Sequence, residues 1–314
     1  MGAVVLRNSD PTPIQEIRNL VFDEYQRLEP RHYDKDLPVR IADIDEKSLA
    51  KLGQWPWSRA LVAKVVDRLR ELGAAVVAFD VLFAEPDRTS PQSVADALPD
   101  DPSFQQVKLQ MASLPDPDRQ LAEAIAKVPT ALGFALLDYD PGRPEARPKP
   151  VGGFSTLGDS PLDFTKTMPH VVGALPALQA AAAGNGAVNA LPDDDGIIRR
   201  IPLILGYRPE NAQTVPDALL PALGLEAIRV AFQGRSFTIR SSHAQAEAFA
   251  NNVANGVGAI RIEVPPGGPS IIIKTDRSGA LLLHDTGHQP ERFVSIADLF
   301  DSDFPRSKVE GQII

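Results

Sequence analysis

Val39-Arg40-Ile41-Ala42-Asp43-Ile44-Asp45 and Ala74-Ala75-Val76-Val77-Ala78-Phe79-Asp80 frame the segment whose reading decides the fold. Each is a short apolar run ending in carboxylates, the pattern of a strand that reaches a sheet edge. Between them, Ser58 caps a helix whose Val62, Val65, Val66, Leu69 and Leu72 recur at helical spacing, and Gly73 stops it. Gly53 is placed to end a shorter helix after the first strand. Strand, helix, strand is a β-α-β unit. A crossover joining parallel strands is nearly always right-handed and packs its helix on the sheet, so both strands finish at one edge. Asp43, Asp45 and Asp80 are expected to gather there.

Beyond this unit the alternation continues. Residues 85–118 are acidic and proline-rich and read as a long surface excursion with one short helix near Phe104 to Met111. Asp116-Pro117 starts a helix with Leu121, Ala124, Ile125 and Val128 on its core face, and Pro129 leads into a strand over 131–137. Residues 141–150 read as an exposed loop. Leu175 to Ala183 reads as a helix. Residues 187–191 and 197–207, joined by Pro192-Asp193-Asp194-Asp195-Gly196, read as a β-hairpin insertion. A helix over 217–232, short strands near Phe237, Ile260, Ile272 and Leu282, and a helix start at Ser295 complete the pattern. The expected class is α/β, with a mixed, largely parallel sheet, packing helices and an N-terminal amphipathic helix.

That first helix opens at Asp10-Pro11-Thr12-Pro13, with Thr12 as N-cap, and closes at Pro30. Ile14, Ile17, Val21 and Leu28 keep to a heptad seam that Glu24 interrupts. One face is sticky and the other charged, so the helix either docks on its own domain or connects to another chain or a membrane segment. The organisation read from this is a connector helix over 1–30 and one domain over 31–314. Gly311-Gln312-Ile313-Ile314 looks like a strand cut off at its beginning, which implies a longer natural protein.

Composition bounds the chemistry. The 314 residues carry 41 acidic and 32 basic side chains, a net charge of -9. No broad positive field exists to hold a phosphate backbone, so nucleic acid is not expected as a partner. The chain has no cysteine, which excludes disulfides, thiolate metal sites and a cysteine nucleophile. No apolar run reaches the ~18 residues of a membrane span.

Several motifs compete for function. Asp43-Ile44-Asp45 at a strand end suits a Mg²⁺-dependent phosphohydrolase of the haloacid dehalogenase type. That motif wants Thr or Val where Lys47 stands, and no lysine and acidic pair completes it. The same aspartates can hold a cation or polar ligand without chemistry, or simply cap helices and pair with Arg40 or Arg59. Gly53-Gln54-Trp55-Pro56-Trp57-Ser58-Arg59 contains both tryptophans of the chain. It is either a plug over the sheet edge or an aromatic wall for a ligand, with Arg59 as anionic anchor. Asp193-Asp194-Asp195-Gly196 lacks the alternation of a calcium loop and reads as a turn. His284 and His288 have zinc-compatible spacing only on a helix, which Thr286-Gly287 disfavours. No metal site or cofactor is expected, and no nucleophile elbow, P-loop or dinucleotide fingerprint is present.

The blocks Ile41 to Leu49, Gly53 to Arg59, Phe79-Asp80-Val81-Leu82-Phe83 and Glu85-Pro86-Asp87 resemble the opening half of a type-two CHASE domain. Gly186-Ala187-Val188-Asn189, Asp193 to Gly196, Arg199 and Pro202 resemble the family's second block. The resemblance implies a non-catalytic α/β sensor outside the cytoplasmic membrane. It implies a bacterial receptor with membrane helices, carrying a cyclase or kinase beyond them, and a likeness in Asp45, Glu46, Trp55, Pro56, Trp57, Arg59 and Asp80 as motif residues rather than a catalytic set. The ligand-binding candidates are therefore Asp43, Asp45, Glu46, Trp55, Trp57, Arg59 and Asp80. The expected partner is a small molecule or an envelope protein, with homodimerisation through the receptor. A ligand-free dimerisation module and the phosphohydrolase are the alternatives.

Overall fold

The computed structural model describes residues 12–142, 147–148, 151–210, 217–244 and 255–314. Its helices are α1 (Thr12–Leu28), α2 (Glu46–Leu52), α3 (Arg59–Glu71), α4 (Pro91–Ala97), α5 (Gln105–Ala112), α6 (Pro117–Ile125), α7 (Pro176–Ala181), α8 (Leu223–Ala231) and α9 (Ile296–Leu299). The strands of the first half are β1 (Ile41–Asp43), β2 (Val77–Phe79), β3 (Thr130–Leu137), β4 (Gly153–Leu157), β5 (Thr167–Met168), β6 (His170–Val172) and β7 (Gly184–Ala187). Those of the second are β8 (Arg200–Pro202), β9 (Ile204–Tyr207), β10 (Ala218–Pro221), β11 (Ser236–Ser241), β12 (Val257–Glu263), β13 (Ile271–Lys274), β14 (Ala280–Leu282) and β15 (Phe293–Ser295). No helix among the described residues is long and apolar enough to cross a membrane.

The architecture is mixed α/β. β15 pairs with β1, β2 with β3 and β3 with β7, all parallel. The last residues of the chain join these pairs: Ile313 bridges Val39 and Val76 in parallel. Arg40 N donates to Ile313 O at 2.9 Å, and Ala78 N donates to Ile314 O at 2.7 Å. The expected β-α-β unit is therefore present with a segment from the far end of the sequence laid between its two strands. Since Val39 and Val76 are level across Ile313, Asp43 and Asp80, each four residues on, end at the same edge with a strand's width between them.

The helices pack because their apolar positions line one face. Val62, Val65, Val66 and Leu69 of α3 meet Leu121, Ala124 and Ile125 of α6, with Leu178 of α7 and Leu299 of α9, in one buried cluster. β13, β12, β11 and β4 form a second sheet, and β10, β9 and β5 a third. Phe237, Ile239, Ile260 and Ile262 bury one face of the second against Leu225 of α8.

Three expectations change in detail. The turn over 193–197 closes, with Asp193 N donating to Ile197 O at 2.9 Å, but its arms part: β7 pairs with β3, while β8 pairs with β14 and β9 with β10. β7 and β9 are buried throughout in these separate sheets. The helix expected over 217–232 begins only at Leu223, because 218–221 is drawn into a ladder with β9. The excursion carries two helices, α4 and α5, rather than one. The expected opening at Asp10-Pro11 and part of the 141–150 loop lie outside the described residues.

α1 docks, but by its polar side. Asn19 Nδ2 donates to Asp193 Oδ2 at 3.3 Å, Gln26 Nε2 donates to Leu283 O at 2.7 Å, and Gln26 Oε1 accepts from Asp285 N at 3.0 Å. The sticky face looks away: Ile17, Leu20, Tyr25 and Leu28 are 62%, 66%, 67% and 72% exposed.

Candidate functional site

The loop from Gly53 to Ser58 is closed on itself. Trp57 is buried and its Nε1 donates to Gly53 O at 2.6 Å, satisfying the indole as a buried tryptophan requires. Trp55 remains exposed and meets Trp57 edge to face, with centroids 5.6 Å apart. The peptide between Trp55 and Pro56 is cis. Trp57 is therefore the plug, and Trp55 faces solvent.

Arg59 opens α3 and turns toward the 82–89 segment. Its guanidinium lies 4.6 Å from the centre of the Phe83 ring, a cation over an aromatic face. Its Nε is 3.5 Å from Asp118 Oδ1. Its backbone N–H donates to Asp87 Oδ2 at 2.6 Å. Asp87 also accepts from Thr89 N at 2.8 Å and Thr89 Oγ1 at 2.7 Å, and its own N–H donates to Asp118 Oδ2 at 2.9 Å. Burial would raise the Asp87 carboxyl, but the donors from Arg59 and Thr89 outweigh it and hold the group below its ordinary range. For Asp118 burial wins, and the carboxyl is raised. Around this pair a cleft of about 320 Å³ opens, walled by Pro56, Trp57, Arg59, Glu85, Arg88 and Val172 among others.

The acidic candidates do not line it. Asp45 caps α2: its carboxylate accepts from Ser48 N at 2.8 Å and from Ser295 Oγ at 2.9 Å. Burial raises this group, and the bonds from Ser48 and Ser295 lower it further than that, so it stays ionised. Glu46 is exposed in the first turn of α2. Asp43 is half-buried at the end of β1, level with Ser295, and Asp80 is exposed beyond β2. The structure therefore brings Trp57 and Arg59 to the cleft wall, with Trp55 against Trp57 but not lining the cleft, and leaves Asp43, Asp45, Glu46 and Asp80 outside it. Among the described residues no group of three or more His, Asp or Glu is arranged to hold a metal. His284 contacts Glu29 O at 3.2 Å while His288 packs on Phe293, so the pair is not presented as neighbours on a helix.

Sequence reading missed Asp118 as the partner of Arg59. One signal was present: Asp118 shares helical spacing with Leu121 and Ile125, a carboxylate placed on an apolar face that must find a buried partner. It also missed what Arg199 holds. This guanidinium, 3% exposed, reaches Asp23 on α1 and Asp193 and Asp195 in the turn. Asn189 is structural as well: its side chain accepts from Leu136 N at 2.9 Å and donates to Leu136 O at 2.8 Å, extending the ladder past the end of β7.

The motif residues of both blocks thus act as two fasteners, one closing the cleft wall and one clamping α1. The family model described as the CHASE2 domain matches residues 1–314. No curated protein and no solved structure matches the chain. CHASE2 domains are extracytoplasmic sensory domains of signal-transduction receptors, not catalysts. The match along the full sequence, on a mixed α/β fold, makes this chain a member of the CHASE2 family.

Proposed function

We propose that this domain is the signal-input module of a bacterial transmembrane receptor, held on the outer face of the cell membrane and coupled to a cytoplasmic cyclase or kinase. The observation that carries the reading is the attachment of α1 to the body through the buried Arg199, whose partners Asp23 and Asp193 lie on opposite sides of the joint. An N-terminal helix held by one charged clamp has two arrangements, docked and released, and a stimulus that prefers one of them moves the equilibrium.

The stimulus enters, on this proposal, at the cleft lined by Trp57, Arg59 and Arg88. A small polar molecule fits its size and its mixture of indole edge, guanidinium and carboxylate. Asp43, Asp45, Glu46 and Asp80 have no part in it.

Trp55 and Trp57 are the chain's two tryptophans, so intrinsic fluorescence reports on this site alone. The test is to titrate amino acids, dicarboxylates, inorganic phosphate and short peptides while following tryptophan emission and thermal stability. One class is expected to give a saturable emission change with a matching stabilisation, both lost in Arg88→Ala. No saturable change from any class, or a stabilisation that leaves the emission untouched, overturns the cleft as the input site.

A further inference from the structure

We infer that the exposed face of α1 is a homodimer seam, and that it is occupied by α1 of a second copy in parallel orientation. This goes beyond the sensor reading and does not depend on the cleft being the input site.

The orientation of the helix carries the argument. Asn19, Asp23 and Gln26 hold one side of α1 to the body. At 100° per residue, Ile14, Ile17, Val21, Tyr25 and Leu28 fall on the opposite side, with Leu20 at its edge. All six are exposed, from 41% at Ile14 to 72% at Leu28. The clamp prevents the helix from rolling to bury them, so the stripe must be covered from outside.

Its pattern selects a helix as the cover. Ile14, Val21 and Leu28 recur every seven residues, with Ile17 between them, which is a coiled-coil seam rather than a broad patch. Asn19 and Gln26 take the heptad position farthest from that seam, and these are residues that face the body. Leu20 and Tyr25 flank it. In a parallel pair the two flanking positions of neighbouring chains lie side by side, so Leu20 of one copy meets Tyr25 of the other. Glu24, the polar residue in the seam, has its carboxylate 3.2 Å from Arg27 Nη2 of the same helix. Two copies can therefore meet there without a bare repulsion of like charges.

The area agrees. At roughly 200 Å² for a large apolar side chain in the open, the six leave about 700 Å² uncovered per copy, and a pair buries about 1,400 Å², within the range of specific interfaces. The same patch exceeds the ~300–600 Å² typical of the largest apolar patch on a monomer. The interface is self-complementary, as a two-fold pair requires.

The test uses the full 314-residue chain. Sedimentation equilibrium is expected to show a reversible dimer whose Kd rises about tenfold or more in Ile17→Glu, with unchanged circular dichroism because Ile17 is exposed. The chain has no cysteine, so Ile14→Cys and Leu28→Cys, made singly, are each expected to give a covalent dimer on mild oxidation, while Lys64→Cys on α3 is not. An antiparallel pair would cross-link only when the two variants are mixed, and that result overturns the parallel seam. A chain that stays monomeric at its highest soluble concentration and gives no covalent dimer overturns the proposal. So does binding to phosphatidylglycerol vesicles that Ile17→Glu abolishes while the protein remains monomeric, since lipid would then be the cover. None of these outcomes alters the fluorescence titration of the cleft, so the two readings fail separately.

Discussion

Arg199 grips Asp23 with both edges of its guanidinium, Nε to Oδ1 at 2.8 Å and Nη2 to Oδ2 at 2.7 Å, although the two residues are 176 positions apart. The same group holds Asp195 through Nη1 to Oδ1 at 2.9 Å and Nη2 to Oδ2 at 2.7 Å, and Asp193 at 3.0 Å. Planar, forked donors suit two carboxylates at once in a way that an ammonium cannot.

Arg199→Lys is therefore expected to loosen α1 while keeping the charge. Loss of the fork should cost about 2 kcal/mol, the scale of hydrogen bonds to charged groups. Limited proteolysis reads this directly: cuts within residues 12–28 should quicken several-fold, with the 59–71 helix still protected. Equal protection of both helices in wild type and variant would show that the clamp is not what seats α1.

Acid should release the same helix. The Arg199 guanidinium, helped by the Ile197 N–H, pulls the Asp195 carboxyl from 3.8 down to about 2. The Arg199 hydrogen bonds lower Asp23 too, against the effect of burial. A carboxyl depressed in the folded state adds stability that is complete above its unfolded value and fades as pH falls through the folded one. Of the two carboxyls only Asp23 lies on α1, so the attachment of α1 is full above about pH 4 and weakens as pH falls through the lowered Asp23 value. Hydrogen exchange of residues 12–28 between pH 5 and 2.5, corrected for the intrinsic rate, measures it. An α1 that opens no earlier than the core would contradict the assignment.

Gly186 and Gly224 should respond in opposite directions to alanine. A Cβ on Gly186 would stand 2.4 Å from Leu223 Cα and 2.7 Å from Leu223 N, backbone atoms that cannot give way. Gly186→Ala is expected to cost at least ~1–3 kcal/mol by overpacking. Gly224, in α8 with nothing within 4 Å of such a Cβ, should gain a few tenths to ~1 kcal/mol from helix propensity and a less flexible unfolded chain. Urea midpoints of the two variants settle the pair.

At the cleft wall, Asp87→Ala removes the acceptor for Arg59 N, Thr89 N and Thr89 Oγ1 together. Stranding these donors should cost about 2–3 kcal/mol. Asp118→Asn keeps an oxygen for the Asp87 N–H and removes a carboxylate that burial already disfavours. It should therefore be milder than Asp118→Ala, as thermal unfolding of the two will show.

Much of the core unit was legible because its signals are local. Val62, Val65, Val66 and Leu69 repeat at the helical period and are buried on one face, as the spacing predicts. Helix capping was one of the readings open to the aspartates, and Asp45 does cap α2. The hairpin was the misleading case. Its turn chemistry is correct, but turn residues specify only the reversal, and the arms went to ladders with β3, β14 and β10. The site was half legible: Trp57 and Arg59 line one cleft, whereas Asp43, Asp45, Glu46 and Asp80 lie outside its wall.

From the residues alone came the α/β class, the parallel unit around Asp43 and Asp80, the seam of α1 and the tryptophan loop, all properties of periodicity and turn chemistry within a few residues. Tertiary structure alone decided that α1 would dock by Asn19, Asp23 and Gln26 and present its apolar side outward, that Asp87 and Asp118 would answer Arg59, and that Ile313 would lie between Val39 and Val76. The physical reason is that a guanidinium and an open strand edge accept any partner of suitable charge or backbone, and only the packing of distant segments determines which one arrives.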